Sequence, residues 1–306
     1  MKRVLGTVIG LVVLSMVCGA FAADKIVLPK YPELKIGFLN VNFIKQWPLG
    51  MENAKKSIDF ANQNGFAWIE IRDPFAMLKL SECRELAAYA KAKGIEVAYA
   101  MNIGLLDSNF WEVFSRGLAN AAVFEGPRTI RTAGPGMEFV NNEKKTHWTF
   151  AELQKAVETA NQAANLAKMV GLQYVVENGV EALKGDGVST FGTVELFGNA
   201  NSNLGFQLDT GNFFIVSRVF SKPEDALAFI DKYGARTGYM HLKTSKDHKI
   251  QMVIGDNELD FDKIFAVAAK NKMLYVGFEL DQPPTLDEAV QNHLKSITYL
   301  KEKFAK

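Results

Sequence analysis

The chain has 306 residues, with 35 Lys and Arg against 34 Asp and Glu, a formal net charge of +1, and 48% hydrophobic residues. So even a charge balance excludes the strongly basic surface that nucleic-acid binding usually shows. Low-complexity tracts, long single-sign charge runs and Pro/Ser-rich linkers are all missing, and the length is close to the ~250 residues of one α/β barrel.

The chain opens MKRVLGTVIGLVVLSMVCGAFAADK (1–25). Lys2 and Arg3 form a basic n-region, and Val4 to Val17 is an apolar run shorter than the ~20 residues of a membrane-spanning helix. Ala20-Phe21-Ala22 then supplies a small-residue cleavage site. The expectation is a secretory signal peptide over 1–22, cut after Ala22, and a periplasmic or secreted mature protein without stable membrane insertion. An uncleaved N-terminal anchor is the alternative. Val17, where a small residue is wanted before Cys18, argues against a lipoprotein. Cleavage leaves Cys83 as the single cysteine, a buried helix residue within SECRELAAYA (81–90), with no intrachain disulfide.

Residues 23–33 read as an irregular lead-in, and 23–306 as one domain. KIGFLNV (35–41) is the first of eight short apolar, β-branched or aromatic runs, and MENAKKSIDFANQNG (51–65) follows it with helical spacing. Then come FAWIEIRD (66–73) with SECRELAAYAKAKG (81–94), IEVAYAMN (95–102) with NFWEVFSRGLANAAVF (109–124), and RTIRTAG (128–134) with TFAELQKAVETANQAANLAKMVG (149–171). LQYVVENG (172–179) precedes a helix whose bounds within TFGTVELFGNAN (190–201) the pattern leaves open. LGFQLDTG (204–211) pairs with KPEDALAFIDKYG (222–234), TGYMHLKT (237–244) with DFDKIFAVAAKNK (260–272), and MLYVGFELD (273–281) with TLDEAVQNHLKSITYLKEKF (285–304). Gly65, Gly94, Gly171 and Gly234 stand where left-handed helix caps are wanted.

Strands alternating with helices imply parallel pairing through right-handed crossovers, and eight such units predict a single-domain, closed (β/α)8 TIM barrel. The competing open doubly wound sheet requires a Gly-rich phosphate loop after its first strand, and NFIKQWPLG (42–50) lacks one.

Barrel chemistry sits at the C-terminal ends of the strands. Strand five ends with Glu177, strand six with Asp209, strand seven with His241 and strand eight with Glu279, at spacings of 32, 32 and 38 residues. Alone, His241 reads as a core histidine, Glu177-Asn178 as a helix cap and Asp209-Thr210-Gly211 as a turn. Together they read as a cation site, because three converging carboxylates repel one another. Three oxygens and one imidazole suit one divalent ion, Mn²⁺ first, with Mg²⁺, Co²⁺ or Fe²⁺ as alternatives, better than structural zinc.

The stretches GFAWIEIRDP (65–74), VVENG (175–179), LGFQLDTGN (204–212), YMHLKTS (239–245), VIGDNELDF (253–261) and VGFELD (276–281) resemble the xylose-isomerase-like superfamily. That group holds sugar isomerase and epimerase barrels and the apurinic endonucleases, and the resemblance spans the whole mature chain. It implies that Glu177, Asp209, His241 and Glu279 bind one divalent metal. It also implies that Glu177 and Glu279 are the proton-transfer pair, as in the family's ketose 3-epimerases. Two positions depart from the family pattern. Asn212 stands where Asp-Thr-Gly-His is common, and Thr244 where His-x-Lys-Asp is usual; both positions commonly touch substrate.

The endonuclease branch needs several histidines for its trinuclear zinc, and of His147, His241, His248 and His293 only His241 ends a strand. With a predicted secretory signal and no basic surface, neither DNA repair nor a nucleic-acid partner is expected. The expected function is a metal-dependent isomerase or epimerase of a free or oxidised carbohydrate. It would abstract a proton next to a carbonyl through a metal-stabilised enediolate, with Glu177 and Glu279 as catalytic acid and base. Export argues against sugar phosphates. By resemblance, exported members are often linked to 3-keto-glycoside breakdown, so a lyase or hydrolase with the same site is the alternative. A secreted sugar-binding barrel without turnover is a third reading, against which the two glutamates speak. Glu70, Arg72, Asn102, Arg131, Asn212 and Lys243 are the further pocket candidates, either as substrate contacts or as paired structural residues. Trp47, Trp68 and Trp111 offer either a stacking platform or core. Oligomeric state has no signature in the sequence.

Overall fold

Eight parallel strands, one from each predicted unit, close into a barrel in the computed structural model. The structure describes residues 23–305 apart from 134–138, 141–142, 145–146, 179–181, 186–187, 192–195, 197–199, 213–222, 248 and 257. The predicted signal peptide, His248 and most of the helix expected after strand five lie outside the described residues.

The strands are β1 (Lys35–Leu39), β2 (Trp68–Arg72), β3 (Glu96–Ala100), β4 (Thr129–Thr132), β5 (Gln173–Glu177), β6 (Leu204–Asp209), β7 (Thr237–Leu242) and β8 (Tyr275–Phe278). Each pairs with its sequence neighbours, and β1 pairs with β8, Phe38 opposite Phe278, which rules out the open sheet. The described helices are α1 (Met51–Gln63), α2 (Leu80–Ala92), α3 (Phe110–Ala121), α4 (Phe150–Met169), α5 (Pro223–Tyr233), α6 (Phe261–Lys270) and α7 (Leu286–Lys303). Three begin at side-chain caps legible in the sequence: Thr149 accepts from Glu152 N, Asp260 from Asp262 N, and Thr285 from Glu288 N. Among the described residues, no helix is long and apolar enough to cross a membrane.

Gly65, Gly94 and Gly171 follow α1, α2 and α4 with φ of 76°, 64° and 72°, as expected for left-handed caps. Gly234 differs. It opens a 3₁₀ turn, Gly234–Arg236, and is glycine for space, since a Cβ there would lie 2.6 Å from Asn271 Cγ. Short strands also appear where none was expected. His147–Trp148, Ala182–Gly185 and Val188–Phe191 form a small sheet, so the start of TFGTVELFGNAN is strand rather than helix. Pieces of two to four residues are too short to show a hydrophobic period. The lead-in is irregular but anchored, with Ile26, Leu28, Tyr31 and Leu34 buried.

Side chains alternate across a strand, so every second residue points into the barrel. Trp68, Ala98, Val175 and Tyr239 meet there as a separate apolar cluster. Trp68 is fully buried, with Nε1 donating to Lys35 O at 2.9 Å, and therefore offers no sugar platform. Trp47 stacks on Phe43, and Trp111 packs on Phe110 and Phe114 of α3. Two residues beyond that apolar layer come Glu70 on β2, Glu177 on β5 and His241 on β7.

Outside the barrel, His293 of α7 is enclosed by aromatic rings, stacked on Phe43 with Phe38 and Phe60 edge-on. Its Nδ1–H donates to Ala289 O at 2.7 Å, and Nε2 accepts from Asn42 Nδ2 at 3.0 Å. Burial pulls its pKa from 6.5 down to about 4. The folded ring resists a proton that the unfolded chain accepts, so stability holds above pH 6.5 and falls as pH drops toward 4. The full displacement from 6.5 to about 4 corresponds to about 3 kcal/mol. Urea midpoints measured from pH 7 to pH 4 should therefore fall less steeply in His293→Phe than in the native protein, and parallel slopes would refute this assignment.

Candidate metal centre

Glu177 ends β5, Asp209 ends β6, His241 lies on β7 and Glu279 directly follows β8. Each offers one ligand atom, and these four atoms lie within 4.8 Å of one another. Asp209 and His241 are fully buried; Glu177 and Glu279 keep 14% of their side-chain surface exposed.

Asp209 is fixed by the turn that follows it. Its Oδ1 accepts from the backbone N–H groups of Gly211 (2.8 Å) and Asn212 (3.0 Å), which leaves Oδ2 facing the cluster. Oδ2 has no hydrogen bond, nor have His241 Nδ1 and Glu279 Oε2. They are not remote from other groups: Nδ1 lies 2.7 Å from Glu279 Oε2, and Asp209 Oδ2 lies 2.6 Å from Lys243 Nζ. These close approaches lack hydrogen-bond geometry. With His241 Nδ1 deprotonated, three buried polar atoms point electron pairs at one place, an arrangement that a divalent cation would satisfy.

His241 is oriented from behind. Its Nε2–H donates to Glu70 Oε2 at 2.8 Å, which turns Nδ1 toward the cluster, the usual arrangement of a ligating histidine. Without a cation, burial disfavours the charged ring, but Glu70 and Glu279 outweigh it and raise the pKa to about 9. A proton then sits where positive charge is needed.

Glu70, read from the sequence as either a substrate contact or a paired structural residue, is fully buried behind His241 and paired there. Oε2 also accepts from Tyr239 OH at 2.7 Å, and Oε1 accepts from Arg72 Nε at 3.1 Å and Nη2 at 3.0 Å. These four donors saturate a carboxylate. Burial alone would raise its pKa, but His241 and Arg72 hold it well below the carboxylate range.

The other predicted residues surround the cluster. Arg131 pairs with Glu177 Oε2 through Nη2, while Nη1 donates to Met101 O (3.0 Å) and Asn102 Oδ1 (2.6 Å). Asn102 is thus linked to the centre through Arg131. Burial, and then the charge of Arg72, lowers the pKa of Arg131. Lys243 Nζ also lies 3.2 Å from Glu279 Oε1; burial opposes its charge, but Asp209 and Glu279 raise its pKa. Asn212 Nδ2 donates to Asn178 O (2.9 Å) and Glu177 Oε1 (3.4 Å). Burial alone would raise the pKa of Glu279, but Lys243, Arg72 and His241 hold it well below normal. Thr244 is buried, its Oγ1 accepting from Gly255 N at 3.0 Å. It borders a 570 Å³ cavity at the ends of β7 and β8, also lined by Lys246, Ile250, Met252, Asp256 and Asp281. Tyr239 escaped the sequence reading, although it shares the strand and the parity of His241.

The family profile described as xylose isomerase-like TIM barrel matches residues 58–303. The chain belongs to that family. Inosose dehydratase of Yersinia enterocolitica is 23% identical over 180 residues, covering 52% of this chain and 58% of that protein. Inosose dehydratase of Clostridium perfringens is 28% identical over 175 residues, covering 50% and 55%. The chain therefore spans little more than half the length of these curated relatives. Among solved structures, D-allulose 3-epimerase from Methylomonas sp. aligns with a TM-score of 0.63 at 16% identity, covering 90% of this chain and 99% of that one. A xylose isomerase-like TIM barrel protein from Mycobacterium smegmatis in complex with magnesium aligns with a TM-score of 0.63 at 16% identity, covering 89% and 98%. At such identities the likeness establishes the fold.

Protein stripped with chelator should take up about one Mn²⁺ per chain and melt at a higher temperature when loaded. Asp209→Ala and His241→Ala should abolish that gain, and Glu70→Gln should weaken binding ~10–100-fold. Native-like uptake by all three variants would place the site elsewhere.

Proposed function

We propose that this barrel is a divalent-metal-dependent carbohydrate isomerase or epimerase that moves a proton at the carbon next to a carbonyl. The observation that carries the reading is the pair Glu177 and Glu279, held in one ligand cluster, with Arg131 on Glu177 and Lys243 shared between Glu279 and Asp209. A divalent ion, Mn²⁺ first, held by Glu177, Asp209, His241 and Glu279 would supply electrophilic stabilisation of the carbonyl oxygen.

The remaining chemistry belongs to the side chains. One glutamate takes the proton from the carbon, and the C–H electron pair moves toward the carbonyl oxygen. The other glutamate, which enters the step protonated, gives its proton to the opposite face, which inverts the centre and leaves the first glutamate protonated. With one of Glu177 and Glu279 protonated, the other glutamate, Glu70 and Asp209 face Arg72, Arg131 and Lys243, so a divalent ion beside neutral His241 would leave two surplus positive charges. That surplus suits the negative charge developing on oxygen. Lys243, Arg131, Asn212 and Asn102 remain the proposed substrate side of the pocket, whereas Glu70 positions His241.

Elimination is the second reading, favoured by the similarity to inosose dehydratases. The same proton removal expels a leaving group when the next carbon carries one. The cavity beside Thr244 would give a glycoside room beyond one ring. A sugar-binding barrel without turnover would not need both glutamates. The signal-like N-terminus supports export and a free or oxidised sugar, with mature protein from the native host beginning at Ala23. Mass analysis finding Met1 on a cytosolic protein would reject export.

Glu177→Gln and Glu279→Gln keep shape and one ligand oxygen but remove the base. Turnover should drop by at least ~10²-fold in each for an epimerase, while metal content changes far less. The native enzyme should incorporate deuterium from D₂O beside the carbonyl. An unsaturated keto-sugar product would select elimination, with one glutamate dominant. Near-native turnover in both variants, with metal retained, would leave the glutamates as ligands alone.

A further inference from the structure

The ligand-bearing strands run past the ends of their neighbours, which leaves backbone groups at the C-terminal rim without a ladder partner. β1 leaves the sheet in a 3₁₀ turn at Asn40–Phe43, whereas the chain after β8 continues through Glu279. Glu279 N is held from the β7 side by Leu242 O at 3.1 Å. On the β1 side, Phe278 stands opposite Phe38 at the end of the ladder, and Leu280 N, two residues on, has no strand opposite it. The Asn42 amide takes that place and braces the last carbonyl of the ladder: Oδ1 accepts from Leu280 N at 3.1 Å, and Nδ2 donates to Phe278 O at 2.8 Å.

The same substitution recurs next to Asp209. β5 pairs with β6 as far as Glu177 opposite Gln207, and Asp209 lies two residues beyond. Asn178 supplies the missing partner, with Oδ1 accepting from Asp209 N at 2.6 Å and Nδ2 donating to Asp209 O at 2.9 Å. Thr210 does likewise for Lys243, two residues past the pair Asp209–His241, its hydroxyl accepting from Lys243 N and donating to Lys243 O.

We propose that Asn42 and Asn178 are positioning residues that hold Glu279 and Asp209 at cation-binding spacing, standing in for absent β-strand backbone. This rests on the divalent-cation reading of the centre. His293 belongs to the device, because its Nε2 accepts from Asn42 Nδ2. A flipped amide would set Oδ1 against Phe278 O and against the ring's lone pair. Asn42 and Asn178 are 1% and 2% exposed, so both act through the backbone of the ligands and not on substrate.

The test uses the full chain with Mn²⁺ as the sole probe. Asn42→Leu and Asn178→Leu remove the amides at similar volume. Asn120→Leu is the control: Asn120 is equally buried and bonded to Leu78 O and Tyr99 OH, away from the centre. All three variants should melt at lower temperature. In calorimetry, Asn42→Leu and Asn178→Leu should raise the Mn²⁺ Kd ~10-fold or more, the usual consequence of losing a ligand's support, and Asn120→Leu should leave it unchanged. If one variant does not fold, the other still decides. Native-like Kd beside lowered melting would make these amides structural only and overturn the inference while the metal reading stands. A native protein that binds no Mn²⁺ would overturn both.

Discussion

Mutual repulsion of carboxylates governs this barrel. With Glu177, Asp209 and Glu279 offering atoms within 4.8 Å of one another, each ionised pair repels by about 3.5 kcal/mol at an effective dielectric of 20. The chain answers with Arg131 on Glu177, Lys243 between Asp209 and Glu279, Arg72 near Glu279, and a proton on His241. These groups make the cluster tolerable, but they do not give hydrogen bonds to Asp209 Oδ2, His241 Nδ1 and Glu279 Oε2. A divalent ion, in place of the His241 proton, would resolve the charge and give these three atoms a common partner.

Sheet geometry then decides who meets whom. The two-residue period carries β7 from Tyr239 through His241 to Lys243, and β2 from Trp68 through Glu70 to Arg72. β2 and β7 are not neighbours, so the bonds from Glu70 to Tyr239 and His241 cross the barrel interior. Apolar packing at Trp68 and Tyr239 thereby fixes the height at which Glu70 supports its histidine.

The strands and the four clustered residues were legible because each strand has a clear apolar run and each of the four stands at or near its C-terminal end. Direction was legible too, but depth was not. Glu70 and His241 both point inward, and only the stagger between β2 and β7 shows that Glu70 lies behind the ligand rather than beside a substrate. Asn42, Asn178 and Thr210 were out of reach for a related reason, since which backbone groups lose their partner depends on where neighbouring strands end. The short strands around Ala182–Gly185 and Val188–Phe191 carry too few residues for any period. Gly234 resembles a helix cap in sequence and differs only through its contact with Asn271.

The geometry gathers one centre at one end of the barrel, and everything proposed about proton transfer depends on a cation being held there. Anomalous diffraction at the manganese edge, from crystals grown with Mn²⁺, addresses that directly. The account predicts one peak per chain among Glu177, Asp209, His241 and Glu279, with Glu70 still bonded to His241 Nε2. A peak at another place, or a cluster that keeps its Lys243 and Arg131 pairing and takes no ion at saturating Mn²⁺, would contradict it.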